Sequence, residues 1–235
     1  MSQIRAGVIS FPGSNGDHDA VHALEHDLGI SVRQVDYRET DLSEFDALVL
    51  PGGFSYGDAL RCGAIARFSP VMNPLRGFVD QGKPVLGICN GFQILCEAHL
   101  LPGALLRNKT LKFHCFWTQV RIEQTNTAWT SGLRQGEVLT LPVAHGEGAY
   151  YIEEHRLEEL EREGQIVARY SSPEGTVHDA ANVNGSVANI AAICNQGRNV
   201  VGLMPHPERA TNDLTGGSDG LRLLTSLLEG ALVAS

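Results

Sequence analysis

Cys89 stands where a short apolar run (Val85, Leu86, Ile88) gives way to helical spacing from Phe92 onward, with Gly87 and Gly91 two residues to either side. This spacing predicts a strand that turns at the cysteine straight into a helix, the G-x-S-x-G elbow with a thiol in place of the hydroxyl. At a helix N-terminus, unpaired N–H groups and the positive end of the dipole favour a thiolate, the form of cysteine that attacks carbonyl carbon. A lone cysteine is more often a small buried hydrophobe. The two glycines tip the reading to the elbow, because a sharp strand-to-helix turn brings backbones together where a Cβ would intrude.

A nucleophilic thiol needs a base, and His206 in Pro205-His206-Pro207-Glu208 is the first candidate. It follows an apolar strand, and the prolines on both sides deny it regular helix or ladder bonding. In an extended backbone, residues i and i+2 point the same way, so Glu208 can accept the imidazole N–H and fix its orientation. A Cys89–His206–Glu208 triad follows. His145, in His145-Gly146-Glu147-Gly148, is the rival base, since it too follows a strand and precedes a carboxylate by two residues; a supporting role is preferred for it. The remaining requirement is an oxyanion hole. Pro51-Gly52-Gly53-Phe54 ends a strand expected beside the elbow strand, so the N–H of Gly53, with Gly52 leaving room, and the N–H of Asn90 are the expected donors.

The elements that must position these groups read as one α/β domain over residues 1–235. Strands are expected at 4–11, 31–37, 45–50 and 85–88. Helices carrying Val21, Leu24 and Leu28, and over 72–81, alternate with them, Asp17 or an earlier polar residue capping the first. This alternation predicts a mostly parallel sheet with helices on both faces. Beyond it, 111–122, 138–144 and 166–170 read as added antiparallel strands, 157–163 as a short helix, 190–194 and 200–204 as a hairpin, and 221–232 as a closing helix. A net charge of −9 argues against nucleic acid or an anionic membrane surface as partner. No apolar run reaches the roughly 18 residues of a membrane span and no signal sequence opens the chain, so a cytoplasmic location is expected. Cys62, Cys96, Cys115 and Cys194 have no C-x-x-C partner and read as packing residues. His18, His22 and His26 fall at i, i+4 and i+8 but away from the apolar face of their helix, which reads as solvated surface, and no metal site is expected.

Gly87-Ile88-Cys89-Asn90-Gly91-Phe92-Gln93 with Pro205-His206-Pro207-Glu208 resembles the class I, triad-type glutamine amidotransferases. Phe11-Pro12-Gly13-Ser14-Asn15, Pro51-Gly52-Gly53-Phe54-Ser55-Tyr56-Gly57-Asp58, His145-Gly146-Glu147-Gly148 and Asn182-Val183-Asn184-Gly185-Ser186 narrow the likeness to the glutaminase subunits of phosphoribosylformylglycinamidine synthase. The likeness runs nearly end to end, with no departure at a triad position. It implies the family's flavodoxin-like fold and glutamine as substrate. It also implies that Cys89 attacks the glutamine side-chain amide, that Gly53, Asn90, Gln93 and Gly52 line the oxyanion and substrate site, and that His206 moves protons under the guidance of Glu208.

The partners so implied are a large ATP-using synthetase subunit and a small bridging subunit, with ATP and magnesium on the synthetase and no cofactor in this chain. The sequence contains no Gly-x-x-x-x-Gly-Lys-Ser/Thr loop. The nearest alternative is another class I amidotransferase subunit feeding a different synthetase, which would share the triad but not His145-Gly146-Glu147-Gly148. Chaperone-like or protease-like relatives carry an acid near the end of the first strand, and Ser10-Phe11-Pro12-Gly13 has none. A non-enzymatic interaction module would have no use for an intact triad.

Overall fold

Ala47–Leu50, Val85–Ile88 and Val200–Leu203 contain no polar side chain, and strands of that composition must be covered on both faces. In the computed structural model, which describes residues 4–233, every residue of the three is buried and they lie side by side at the centre of one sheet. In chain order the strands are β1 (Arg5–Ser10), β2 (Ser31–Asp36), β3 (Ala47–Leu50), β4 (Val85–Ile88), β5 (Ala104–Leu106), β6 (His114–Ile122), β7 (Val138–His145), β8 (Ala149–Tyr151), β9 (Ile166–Ser171), β10 (Ile190–Cys194) and β11 (Val200–Leu203). The helices are α1 (Asp17–His22, continued by a π turn over Ala23–Asp27), α2 (Met72–Asp80), α3 (Asn90–Glu97), α4 (Glu154–Arg162) and α5 (Asp219–Val233).

Among the described residues, nine strands form the main sheet in the order β2-β1-β3-β4-β11-β10-β9-β6-β7. The first five run parallel, and β10, β9, β6 and β7 extend the sheet by antiparallel pairing. Helices cover both faces, α3 packing on β3, β4 and β11, α1 on β1 and β2, and α5 against β7 and the π turn. The expected α/β architecture is thus realised, hairpin included. Leu24 is buried, with Val21 and Leu28 packed against the core beside it.

Several local expectations change. Gly16, not a polar side chain, precedes α1, and the Asp17 carboxylate accepts instead from Ser10 and Gln34. β6 begins at His114 rather than Leu111, because Leu111 takes a φ of +58° in a turn outside the ladder. A two-stranded sheet of β5 and β8, three residues each, lies apart from the main one. Cys115 is exposed, so the packing reading fails there. His18, His22 and His26 are exposed as expected, with His22 near Asp27 and His26 near Glu25. No helix among the described residues is long and apolar enough to cross a membrane.

The register sets the site. Parallel pairing places Leu50 beside Gly87 and Leu203 beside Ile88, so β3, β4 and β11 end together. Gly87 and Gly91 make the turn possible: a Cβ on Gly87 would lie 2.8 Å from the Gly91 carbonyl carbon, and one on Gly91 would strike the Leu50 carbonyl oxygen. Gly91→Ala is expected to destabilise the fold by about 2–3 kcal/mol, as overpacking against rigid backbone does. By contrast Gly77→Ala, inside α2 with open space around it, should stabilise by about 0.5–1 kcal/mol. Urea unfolding of the two variants measures both.

Candidate active site

Cys89 links β4 to α3 with φ +48° and ψ −100°, a conformation that only a strongly determined surrounding holds in a residue with a Cβ. Its N–H donates to the Leu203 carbonyl, which ties the elbow to the end of β11. The thiol is 5% exposed, and its Sγ donates to the Ala144 carbonyl at 3.7 Å. The strand–cysteine–helix elbow read from the spacing is therefore present.

His206 leaves β11 three residues past its last strand position, and its N–H donates to the Pro142 carbonyl of β7. Its Nδ1 meets Glu208 Oε1 at 2.6 Å, and both side chains are buried. The pairing expected from the i, i+2 spacing is present, but not along extended backbone: Pro207–Arg209 form one 3-10 turn that His206 precedes, and the turn brings the carboxylate back to the imidazole. Its Nε2 is buried without a partner. Burial works against the imidazolium, but the Glu208 carboxylate and then Cys89 favour it more strongly, and the His206 pKa rises to about 10. A Cβ on Gly52 would lie 2.7 Å from His206 Cε1 and 3.8 Å from Cys89 Cβ, so imidazole and thiol-bearing carbon face the same glycine.

Gly53 has a φ of +152°, and its predecessor's carbonyl accepts from the N–H groups of Asn15 and Gly16. In a trans peptide the following N–H points opposite to the carbonyl, so Gly53 N–H faces away from the 13–16 loop. The Phe11-Pro12-Gly13-Ser14-Asn15 stretch thus orients the glycine pair: Phe54 N–H donates to Gly13 and Tyr56 N–H to Pro12. Asn90 opens α3, where its backbone N–H has no intrahelical acceptor.

Asn90 and Gln93 do something the sequence did not reveal. Asn90 Oδ1 accepts from Ser55 N–H, its Nδ2 donates to Gln93 Oε1, and Gln93 Nε2 donates to the Glu147 carbonyl at 2.6 Å. Each end of the Gln93 amide has one partner, so Gln93 braces the site while one N–H and one lone pair keep their hydrogen-bonding capacity. The rival base His145 ends β7, buried, but its Nδ1 meets Asn108 Oδ1 at 3.1 Å, not a carboxylate. Glu147 turns instead toward Arg107. Burial first, then the charges of His206 and His114, push His145 down to about 3, so it stays neutral near pH 7. Asn184 Nδ2 donates to the Gly148 carbonyl and Ser186 Oγ accepts from Tyr150 N–H, so the 182–186 motif buttresses this loop. Asn108 and Asn184 were missed as site-supporting residues; their only signal was membership in, or nearness to, polar motifs.

A thiol at a strand–helix elbow, with an imidazole–carboxylate pair at the adjoining strand end and glycine amides between, is equipped for acyl transfer. The family model described as a CobB/CobQ-like glutamine amidotransferase domain matches residues 3–217, which defines the class. The phosphoribosylformylglycinamidine synthase subunit PurQ of Thermomicrobium roseum is 60% identical over 225 residues, covering 96% of this chain and 95% of that protein. The subunit of the same name from Rubrobacter xylanophilus is 54% identical, covering 98% and 100%. Among solved structures, a chain of PurLQS from Thermotoga maritima superposes with a TM-score of 0.85 at 42% identity, covering 97% of this chain and 98% of that one. The chain belongs to the glutamine amidotransferase family and, within it, to the group of PurQ subunits.

The raised His206 pKa has a definite sign. Its interactions with Glu208 and Cys89 stabilise the fold fully below the ordinary histidine pKa of 6.5, and that contribution fades as pH rises through about 10. In urea unfolding, the stability gap between wild type and Glu208→Gln should be widest near pH 6 and narrow steadily by pH 10.

Proposed function

We propose that this chain is the glutamine-hydrolysing subunit of a phosphoribosylformylglycinamidine synthase, and that it supplies ammonia to an ATP-using synthetase subunit. The buried His206–Glu208 pair beside Cys89, in a chain 60% identical to a subunit of that name, carries this reading. The Cys89 thiolate attacks the side-chain amide carbon of glutamine. The N–H groups of Gly53 and Asn90 take up the charge that develops on oxygen. His206, held as imidazolium by Glu208, gives its proton to the departing nitrogen, and ammonia leaves a γ-glutamyl thioester on Cys89. His206 then takes a proton from water, whose oxygen adds to the thioester carbonyl; the C–S bond breaks, glutamate is released and the thiolate–imidazolium pair is restored.

The ammonia is consumed in converting formylglycinamide ribonucleotide to the amidine, in de novo purine synthesis. ATP and magnesium belong on the synthetase, this chain needing no cofactor of its own, and a small third subunit bridges the two. The likeness to a chain of T. maritima PurLQS supports such an assembly. A cytoplasmic setting suits a supplier of ammonia to a nucleotide pathway.

The test is reconstitution with the synthetase and bridging subunits, measuring ADP formation with glutamine and with ammonium as nitrogen source. Cys89→Ala should lower the glutamine-dependent rate by at least about 10³-fold, as loss of a covalent nucleophile does, with the ammonium-dependent rate retained. Retention of both rates removes Cys89 as the nucleophile.

A further inference from the structure

Glu208 is the carboxylate that holds the triad imidazole, yet only half of it is engaged. Its Oε1 meets His206 Nδ1 at 2.6 Å, while its Oε2 is buried and has no hydrogen-bond partner. A buried carboxylate oxygen with free lone pairs attracts any cation within reach. The next residue in the chain carries one. Arg209 Nε lies 3.7 Å from Glu208 Oε1, just beyond hydrogen-bond distance.

A guanidinium this close to a carboxylate ordinarily closes on it through two parallel N–H···O bonds. Here it does not, because Arg209 Nε donates to Asp19 Oδ2 at 2.9 Å. Asp19 stands in the first turn of α1, which packs against the turn over Pro207–Arg209. Among the described residues, Arg209 thus has two acids within 4 Å and gives its proton to the outer one. The other charged groups around this turn are committed elsewhere. Asp219 at the head of α5 accepts from Thr140 N–H, and Asp17 accepts from Ser10 and Gln34. Asp27 in the π turn accepts from Asn212 and lies 3.6 Å from His22. Cys89 faces His206 from the elbow and strengthens its charge, and His145 at the end of β7 is neutral.

We propose that Asp19 is a positioning residue of the triad that acts through Arg209: by taking the guanidinium, it keeps the arginine off Glu208 and leaves that carboxylate to His206. With Asp19 neutral, Arg209 turns to the free lone pairs of Glu208. The carboxylate is then shared between imidazole and guanidinium. Competition for the oxygen and a second cation beside the ring both weaken the hold of His206 on its proton. The strength of the proton donor is therefore set from a half-exposed carboxylate on α1, outside the triad. This deepens the glutamine reading above and rests on it for its consequence in catalysis, not for the coupling of Asp19 to His206.

The experiment follows the His206 imidazole by NMR titration in the full chain. Asp19→Asn removes the charge and keeps the shape, and a half-exposed ion pair contributes little to stability, so the fold should stand. In this variant the His206 pKa should fall by about one unit, the scale on which a neighbouring charge acts. In Asp19→Asn/Arg209→Gln the competing cation is gone, and the pKa should return at least to its wild-type value. With the synthetase partners present, the alkaline limb of glutamate release from glutamine should move down in the single variant and back in the double one. An unchanged titration in Asp19→Asn overturns the inference. So does a double variant that titrates as low as the single one, because damage to the docking of α1 would not be mended by removing its second partner. A wild-type complex that releases no glutamate removes the glutamine reading, while the titration still decides the role of Asp19.

Discussion

The in-step ending of three parallel strands is the constraint on which the rest of this structure depends. β4 delivers the thiol, β3 the glycine amides and β11 the imidazole, and the pairing of Leu50 with Gly87 and Leu203 with Ile88 brings these deliveries to one height. A slip of one residue would turn each apolar strand's side chains to the other face and part the three groups. The elbow adds a local cost. A non-glycine residue at φ +48° costs about 1–3 kcal/mol, which the surrounding sheet and helix α3 offset. Gly87 and Gly91 permit the close approach, and the Cys89 N–H bond to Leu203 holds it.

Around that junction, polar groups are spent sparingly. The His206–Glu208 pair is removed from water almost completely, so water screens its attraction little, and despite the cost of burial its imidazole is kept charged where an exposed histidine would be largely neutral. His145, buried in the same region without a carboxylate, is driven the other way. Two histidines thus hold opposite charge states because one faces an acid and the other an amide. The same side chain is thus set to two protonation states by its surroundings alone.

Much of this was legible in the sequence where the signal is local. The elbow shows in the glycine spacing around Cys89. The orienting carboxylate shows in the two-residue step from His206 to Glu208, although the backbone there closes into a 3-10 turn and not into the extended run that such a step suggests. The parallel core showed in runs such as Val200–Leu203 that have no polar member. What stayed hidden depends on partners far along the chain. Nothing near Gln93 announces that its amide is claimed by Asn90 and by the Glu147 carbonyl, and Asn108 acquires meaning only when the chain brings His145 to it, 37 residues on. β5 and β8 are three residues each, too short for a periodic pattern to register. The π turn after α1 widens one turn of a helix whose apolar spacing alone reads as regular.

The run of hydrogen bonds from Ser55 through Asn90 and Gln93 to Glu147 joins the loop after β3, the first turn of α3 and the loop after β7. Those three segments form the rim of the site, and the tether passes through the residue next to the nucleophile. The three segments are therefore cross-braced through side-chain amides at the first turn of α3. The position of the residue that follows the nucleophile is thereby tied to both outer loops at once.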